Sequence, residues 1–210
     1  MLTRLWQTPR FCFGMSNGVL EDFFVVAEPD GSYRAWFVHG PTFQDMRLWT
    51  ALGTTPEGPF GEVRPAPDGG ARHTRLARGR LDDTRRLVTA VWPGLPHAGL
   101  FCFDDRGPLT VKTLLHGTKP GTAYSVVLGN PGVLVDPPGW ALCCEGRTEH
   151  VFWRLVQGHI APDLTVTMDD APIADGANPS FLRVGSRVYL YYSRPESGGF
   201  ATWVMHQDDP

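Results

Sequence analysis

Eight polar side chains, far apart in this 210-residue chain, fall at matching places in a repeated strand pattern: Asp22, His39, Asp83, Asp105, Asn130, Glu145, Asn178 and Ser193. Two carboxyls brought close together, one ionised and one held protonated, can do acid, base or nucleophile work on a substrate. The amides and the hydroxyl do different chemistry. They offer paired hydrogen-bond donors and acceptors to a hydroxyl-rich ligand, and beside a stacking aromatic such as Trp140 or Tyr192 they make a carbohydrate-binding set. Asn130 and Asn178 each precede a proline, so a second use is open to them, as turn initiators whose side chains tie down their own backbone.

Some scaffold must carry these residues to one place, and helices are poor candidates. Pro or Gly interrupts nearly every window of about a dozen residues that could hold an amphipathic helix. Short β-branched and aromatic runs between turn signals predict strands near 23–28, 33–39, 46–53, 87–92, 99–104, 109–115, 124–128, 132–136, 140–145, 151–157, 164–168, 180–184, 187–193 and 200–207. The fold class is all-β with many short strands.

These strands repeat. Asn130-Pro-Gly-Val-Leu-Val-Asp136-Pro-Pro-Gly-Trp140-Ala-Leu-Cys-Cys-Glu145 aligns without gaps on Asn178-Pro-Ser-Phe-Leu-Arg-Val-Gly-Ser-Arg-Val188-Tyr-Leu-Tyr-Tyr-Ser193, at an offset of 48. A weaker copy runs from Phe23 to His39, one residue longer in its turn. Each copy reads as a hairpin, and a tryptophan follows each one in a third strand: Trp49, Trp153 and Trp203. Fourth strands follow at Gly61 to Pro65 and Leu164 to Met168. Units of four antiparallel strands at this spacing predict a β-propeller. The approximate blades are 18–65, 71–118, 122–170 and 174–210 plus 1–8, in one domain over 1–210. The last copy ends after its third strand, so Thr3–Gln7 is expected to close the ring and remove an exposed edge. Four blades are favoured; five stay open, since 10–20 and 66–86 carry no assignment. Trp36, Trp49, Trp140, Trp153, Tyr189, Tyr191 and Trp203 then read mainly as packing between blades.

In an antiparallel hairpin the start of the first strand and the end of the second lie at the same end. Asn130 is thereby placed with Glu145, Asn178 with Ser193, Asp22 with His39, and Asp83 with Asp105, all on one face. The longer turn of the first copy leaves the register of Asp22 open, because a slip by one turns a side chain to the other side of its strand.

The Asn-Pro-(Ser/Gly)-aliphatic opening, the Asp- or Gly-containing turn, the Tyr-Leu-Tyr-Tyr strand and the segment Trp49-Thr-Ala-Leu-Gly-Thr-Thr-Pro-Glu-Gly-Pro-Phe60 resemble the blades of furanosidase-type glycoside hydrolases, the arabinanase, xylosidase and invertase relatives. The resemblance covers roughly 18–63 and 124–207. It implies a propeller, five-bladed in that superfamily, with an axial funnel where an Asp of the first blade, an Asp of the second and a Glu of a later one meet a sugar. This chain is much shorter than such enzymes. Glycoside cleavage needs two carboxyls about 5–5.5 Å apart for retention, or about 6.5–9.5 Å for inversion. Asp22 as base or nucleophile, Glu145 as general acid and Asp83 as a tuning carboxylate are the residues such a reaction would use. His39, Asp105, Asn130, Trp140, Asn178, Tyr192 and Ser193 would contact the substrate. Against catalysis, Asn130 and Asn178 stand where the superfamily places acids, and an amide neither takes up a proton usefully nor acts as a nucleophile.

Composition narrows the classes further. The formal net charge is −3, which supplies no overall field for a nucleic acid. Arg72, Arg75, Arg78, Arg80, Arg85 and Arg86 form a local run that reads as a solvated edge or, more sharply, as a contact for an acidic glycan or a neighbouring subunit. Four cysteines, with no CxxC and no histidine at ligand spacing, read as buried free thiols, and no cofactor or metal is expected. No apolar run approaches the roughly 20 residues of a membrane span, and no signal peptide is expected at the start. The reading is a glycan-binding or assembly module, a virion-surface or adhesin-type component, cytoplasmic or virion-associated. Its expected partners are a carbohydrate and other subunits of an assembly, with no nucleic acid or membrane. The alternative is a small glycoside hydrolase acting on furanoside- or xyloside-type saccharides.

Overall fold

The computed structural model describes residues 6–66, 78–90, 99–104, 112–197 and 199–208. Nearly all regular structure among them is strand. In chain order these are β1 (Arg10–Gly14); β2 (Val19–Ala27), β3 (Tyr33–Gly40), β4 (Arg47–Gly53) and β5 (Phe60–Pro65); β6 (Arg85–Ala90), β7 (Gly99–Asp104) and β8 (Lys112–His116). There follow β9 (Val127–Asp136), β10 (Gly139–Arg147), β11 (Arg154–Ile160), β12 (Val166–Met168), β13 (Ala174–Asp175), β14 (Ala177–Val184), β15 (Arg187–Glu196) and β16 (Gly199–Asp208). They make four antiparallel sheets, the four blades of a β-propeller fold. Neighbours in sequence are neighbours in each sheet: β2-β3-β4-β5, β6-β7-β8 and β9-β10-β11-β12, with β13 beside β11. The fourth is β14-β15-β16, completed by β1.

That last pairing corrects one expectation. The strand that completes the C-terminal blade is Arg10–Gly14, paired from Arg10↔Val204 to Gly14↔Ala201; of the expected 3–7, residues 3–5 lie outside the described residues. Of the expected segment, Gln7 does reach the sheet, where its N–H donates to the His206 carbonyl at 2.9 Å. The apolar run Phe11-Cys12-Phe13 suits 10–14 to a strand, since burying Cys12 and Phe13 removes apolar area from water.

The chain forms two compact units. One comprises 6–66 with 180–208; the other lies within 78–179. The first is held by an aromatic cluster in which Phe23 meets the rings of Phe13, Phe37, Phe60 and Tyr191 at centroid distances of 5.5 to 5.9 Å. Each fully buried Phe contributes roughly 1.5–3 kcal/mol of transfer free energy. The second is aliphatic, built on Leu87, Leu100, Leu128, Leu142 and Val156 around Tyr124. Cys143 and Cys144 are neighbours on β10, so they point to opposite faces, and both thiols are free and buried. Burial pushes both of them well above the usual thiol range.

Candidate functional site

The strand ends that carry the polar residues share one backbone device. In β9 and β10, Gly129 pairs with Glu145 and Gly132 with Cys143, so Asn130 and Pro131 together face Cys144 alone. In β2 and β3, Glu21 pairs with Val38 and Phe24 with Trp36, so Asp22 and Phe23 together face Phe37. Each is a β-bulge, one extra residue that bends the strand and re-aims a side chain. Asp22, Asn130 and Asn178 all sit in the left-handed region, at φ 55°, 43° and 52°. Among residues with a side chain, Asn and Asp tolerate that region best. A residue before proline is ordinarily driven to extended backbone, yet Asn130 and Asn178 are held left-handed. Strain of this kind costs about 1–3 kcal/mol and gathers at functional sites. Asn130 is therefore a bulge residue, and Asn178 shares its left-handed backbone.

The best-formed arrangement lies in the unit of 78–179. The Asn130 Nδ2 donates to Glu145 Oε2 at 2.9 Å, and both residues are half-buried. The Asn130 N–H donates to Thr89 Oγ1 at 2.6 Å, which ties β9 to β6. Gly129 makes that approach possible, because a Cβ there would lie 2.8 Å from the Thr89 methyl. Thr89 is a positioning residue that the sequence pattern did not single out.

In the other unit, Asp22 is fully buried at its bulge. The expected partner His39 is displaced by one residue. The two-residue turn Pro137-Pro138 of β9–β10 becomes three residues, Pro29-Asp30-Gly31, in β2–β3, so buried Val38 occupies the place that Glu145 holds in its own hairpin. His39 pairs with Leu20 and Arg47, and its Nδ1 lies 3.0 Å from the Val19 carbonyl oxygen. Ser193 and Tyr192 are both buried, at 2% and 1% exposure. Tyr192 is a core side chain here and offers no open face for stacking; burial raises its phenol above the usual range. Asn178 is likewise buried.

Trp140, Asp83 and members of the arginine run have partners of their own. Trp140 stands at the turn end of its hairpin, opposite Val135 and Ile160, five residues along β10 from Glu145. At about 3.3 Å per residue that is roughly 16 Å away. Its Nε1 donates to the Leu81 carbonyl at 2.8 Å, and the Arg85 guanidinium lies over its ring, so it packs and does not face a ligand beside Glu145. Asp83 is 93% exposed in the turn before β6 and pairs with Arg80. The structured carboxylate is its neighbour Asp82, which accepts from the N–H groups of Thr84 and Arg85 and from the Arg85 guanidinium. Burial opposes ionisation of Asp82, but these donors overcome it and hold its carboxyl well below the usual range. The arginine run also divides: Arg78 is buried and donates to the Pro179 carbonyl at 3.1 Å, while Arg80 and Arg85 serve Asp83 and Asp82. Asp105, Arg72 and Arg75 lie outside the described residues.

A second recess lies in the unit of 6–66 and 180–208, at the Asp22 end of its sheet. It is an open pocket of about 690 Å³ walled by Asn17, His39, Gln44, Arg47 and Trp49. A hollow of about 410 Å³, lined by Phe11, Phe200 and Trp203, shares Asn17 with it. Among the described residues no group of three His, Cys, Asp or Glu side chains is placed to hold a metal, and no helix is long and apolar enough to cross a membrane.

No protein-family model matches the chain, and no curated protein matches it. Solved structures do. The β-1,2-mannobiose phosphorylase from Listeria innocua, in complex with β-1,2-mannobiose, matches with a TM-score of 0.51 and 12% identity, over 93% of this chain and 61% of that one. An endo-arabinase from Bacteroides thetaiotaomicron gives a TM-score of 0.45 at 13% identity, over 87% and 72%. An α-L-arabinofuranosidase from Lactobacillus brevis gives 0.44 at 13%, over 92% and 69%. At such identities the likeness is one of fold, the glycoside hydrolase-like propeller that the blade motifs imply. The chain spans about three fifths of the length of the mannobiose phosphorylase.

Proposed function

We propose that the protein is a carbohydrate-binding module that holds its ligand without turning it over, with Asn130 and Glu145 as central contacts. The observation that carries this reading is the Asn130 Nδ2 to Glu145 Oε2 hydrogen bond of 2.9 Å at a strained bulge. A carboxylate already engaged by an amide donor is an oriented acceptor for sugar hydroxyls, whereas a general acid must carry a proton of its own. Asn130 keeps its carbonyl oxygen for a further donor. The Listeria innocua enzyme was solved with a disaccharide, and a saccharide is the ligand class taken here. Carried in several copies on a larger particle of virion-surface or adhesin kind, weak single sites add up through effective concentration.

The second reading, a small glycoside hydrolase, is favoured by one observation: Asp22 is a fully buried acid held in a strained backbone conformation. One set of measurements separates the two. On a glycan array and by calorimetry, wild type should bind a saccharide that Glu145→Gln binds at least about tenfold more weakly, with the melting temperature nearly unchanged. A panel of p-nitrophenyl arabinofuranosides, xylosides and fructosides should release no p-nitrophenol. Release that Glu145→Gln abolishes would replace the binding reading with the hydrolase.

A further inference from the structure

The pocket beside β3 and β4 has a chemistry that the Asn130–Glu145 site does not. His39 and Arg47 are direct cross-strand partners, so their side chains leave the same face of the sheet with Cβ atoms about 4.5–5.5 Å apart. Two basic groups at that separation repel when both are charged, and an anion between them reverses the sign. Arg47 makes no ion pair or side-chain hydrogen bond among the described residues, and it is exposed. The His39 Nδ1 is spent on the Val19 carbonyl, leaving Nε2 as its remaining polar atom. Asn17 and Gln44 bring two side-chain amides with no hydrogen-bond partner among the described residues. The acid on the wall, Asp45, accepts from the Thr42 hydroxyl at 2.8 Å.

The wall also has an aromatic floor. Trp49 lies two residues from Arg47 on the same face of β4. Its Nε1 donates to the His39 carbonyl at 3.2 Å, and its ring meets the His39 ring edge to face, so both rings are fixed before any ligand arrives. Gly40 shapes the mouth: a Cβ there would fall 2.3 Å from the Asp45 carbonyl oxygen, so only glycine lets the 41–46 loop fold over the end of β3. A volume of about 690 Å³ lies within the roughly 300–1,000 Å³ of small-molecule sites. The adjoining hollow extends the recess past Asn17, which gives room for more than one sugar ring.

We infer that this pocket is a separate binding site for an acidic saccharide, a chain of uronic-acid type whose carboxylate is held by Arg47 and His39. In it the guanidinium fork matches the carboxylate, Asn17 and Gln44 exchange hydrogen bonds with ring hydroxyls, and the Trp49 ring covers an apolar sugar face.

The test is residue-resolved titration of the ¹⁵N-labelled chain with sodium glucuronate and with digalacturonate. Methyl glucoside and inorganic phosphate serve as the neutral and the non-sugar arms. The expected result is shifts gathered at the amides of 17 and 39–49 and at the Trp49 indole N–H. The dimer should bind more tightly than the monomer, and methyl glucoside and phosphate at least about tenfold more weakly. Arg47→Gln, an exposed change that keeps a hydrogen-bonding head, should weaken glucuronate at least about tenfold while leaving the spectrum dispersed. Glu145→Gln should not alter these shifts, so failure of the Asn130–Glu145 reading leaves this one standing, and the reverse holds too. Binding of phosphate or methyl glucoside as tight as glucuronate, absence of shifts in 39–49, or an Arg47→Gln variant that binds like wild type would each overturn it.

Discussion

The left-handed bulges make a prediction that runs against the usual ranking of small residues in strands. Inside an ordinary strand Gly is worse than Ala by roughly 0.5–1 kcal/mol, because it gives up more backbone entropy on folding. At Asn130 and Asn178 the backbone stands at φ 43° and 52°, where a Cβ meets the following carbonyl and costs about 1–2 kcal/mol. Ala must pay that and Gly need not. Subtracting the entropy term leaves Asn130→Gly more stable than Asn130→Ala by about 0.5–1 kcal/mol, with the same order at 178. Both variants lose the 2.9 Å bond to Glu145, so that loss cancels in the comparison. For a chain of this size the gap is about 1–4 °C in melting temperature. Urea denaturation of the two pairs, with Val135→Gly and Val135→Ala as an exposed control on the same strand, measures it directly. Ala at least as stable as Gly at both 130 and 178 would refute the argument from left-handed backbone, as would a control pair that behaves like those two positions.

Two further outcomes follow from the carboxylates. The Asp82 carboxyl is held below its unfolded value of about 3.9, so its contribution is complete above about pH 4 and drains away as pH falls through lower values. Asp82→Asn should therefore cost about 1 kcal/mol at pH 7, discounted because the side chain is two-fifths exposed, with the gap closing towards pH 2.5; a gap that does not change with pH would contradict this. Asn130→Asp keeps a residue that tolerates the bulge but sets a second carboxyl against Glu145, so the pair should retain a proton that wild type does not. A folded state that binds the extra proton is favoured at low pH, so this variant should be less stable than wild type at pH 7 and approach it near pH 4 in a urea series, while an equal deficit at both would show that the two groups do not meet.

Much of the fold was legible because β9–β10 and β14–β15 have turns of equal length. Asn130 and Asn178 each lie seven residues before a two-residue turn, and Glu145 and Ser193 follow it at the same interval, so a gapless offset of 48 aligns the two hairpins. The first copy broke the rule at one residue. Matched by their first residues, the hairpins place Val38 opposite Glu145's position; matched by their last, they place His39 there. Only the pairing of Glu28 with Ser32 around Pro29-Asp30-Gly31 decides between them. The second blade was harder. β6 and β7 pair without a bulge from Arg85↔Asp104 to Ala90↔Gly99, so no left-handed Asn or Asp marks its inner strand. Of two adjacent aspartates, composition cannot tell which one caps the turn. Arg78 was similarly hidden among its neighbours, because a buried arginine and a solvated one read alike in a run of six.

The same device explains how acids and amides alternate at the bulges without harm to the fold. A left-handed position with a Cβ is filled at lowest cost by Asn or Asp, and in a strand interior neither would otherwise be favoured. The backbone thus restricts Asp22, Asn130 and Asn178 to two residue types and is nearly indifferent between them, while the chemistry is not: one is an acceptor that can hold charge, the other a neutral donor and acceptor. With Asn at 130, Glu145 across the hairpin gains a donor in place of a second negative charge, and a hairpin end suited to proton transfer becomes one suited to orienting hydroxyls. At Asp22 the acid remains, but the counterpart of Glu145 is Val38, buried and apolar, so this bulge lacks a second carboxyl across its own hairpin. The β9–β10 and β2–β3 hairpins therefore each keep one half of a carboxylate pair, which under the proposed reading favours hydrogen bonding to a ligand over proton transfer.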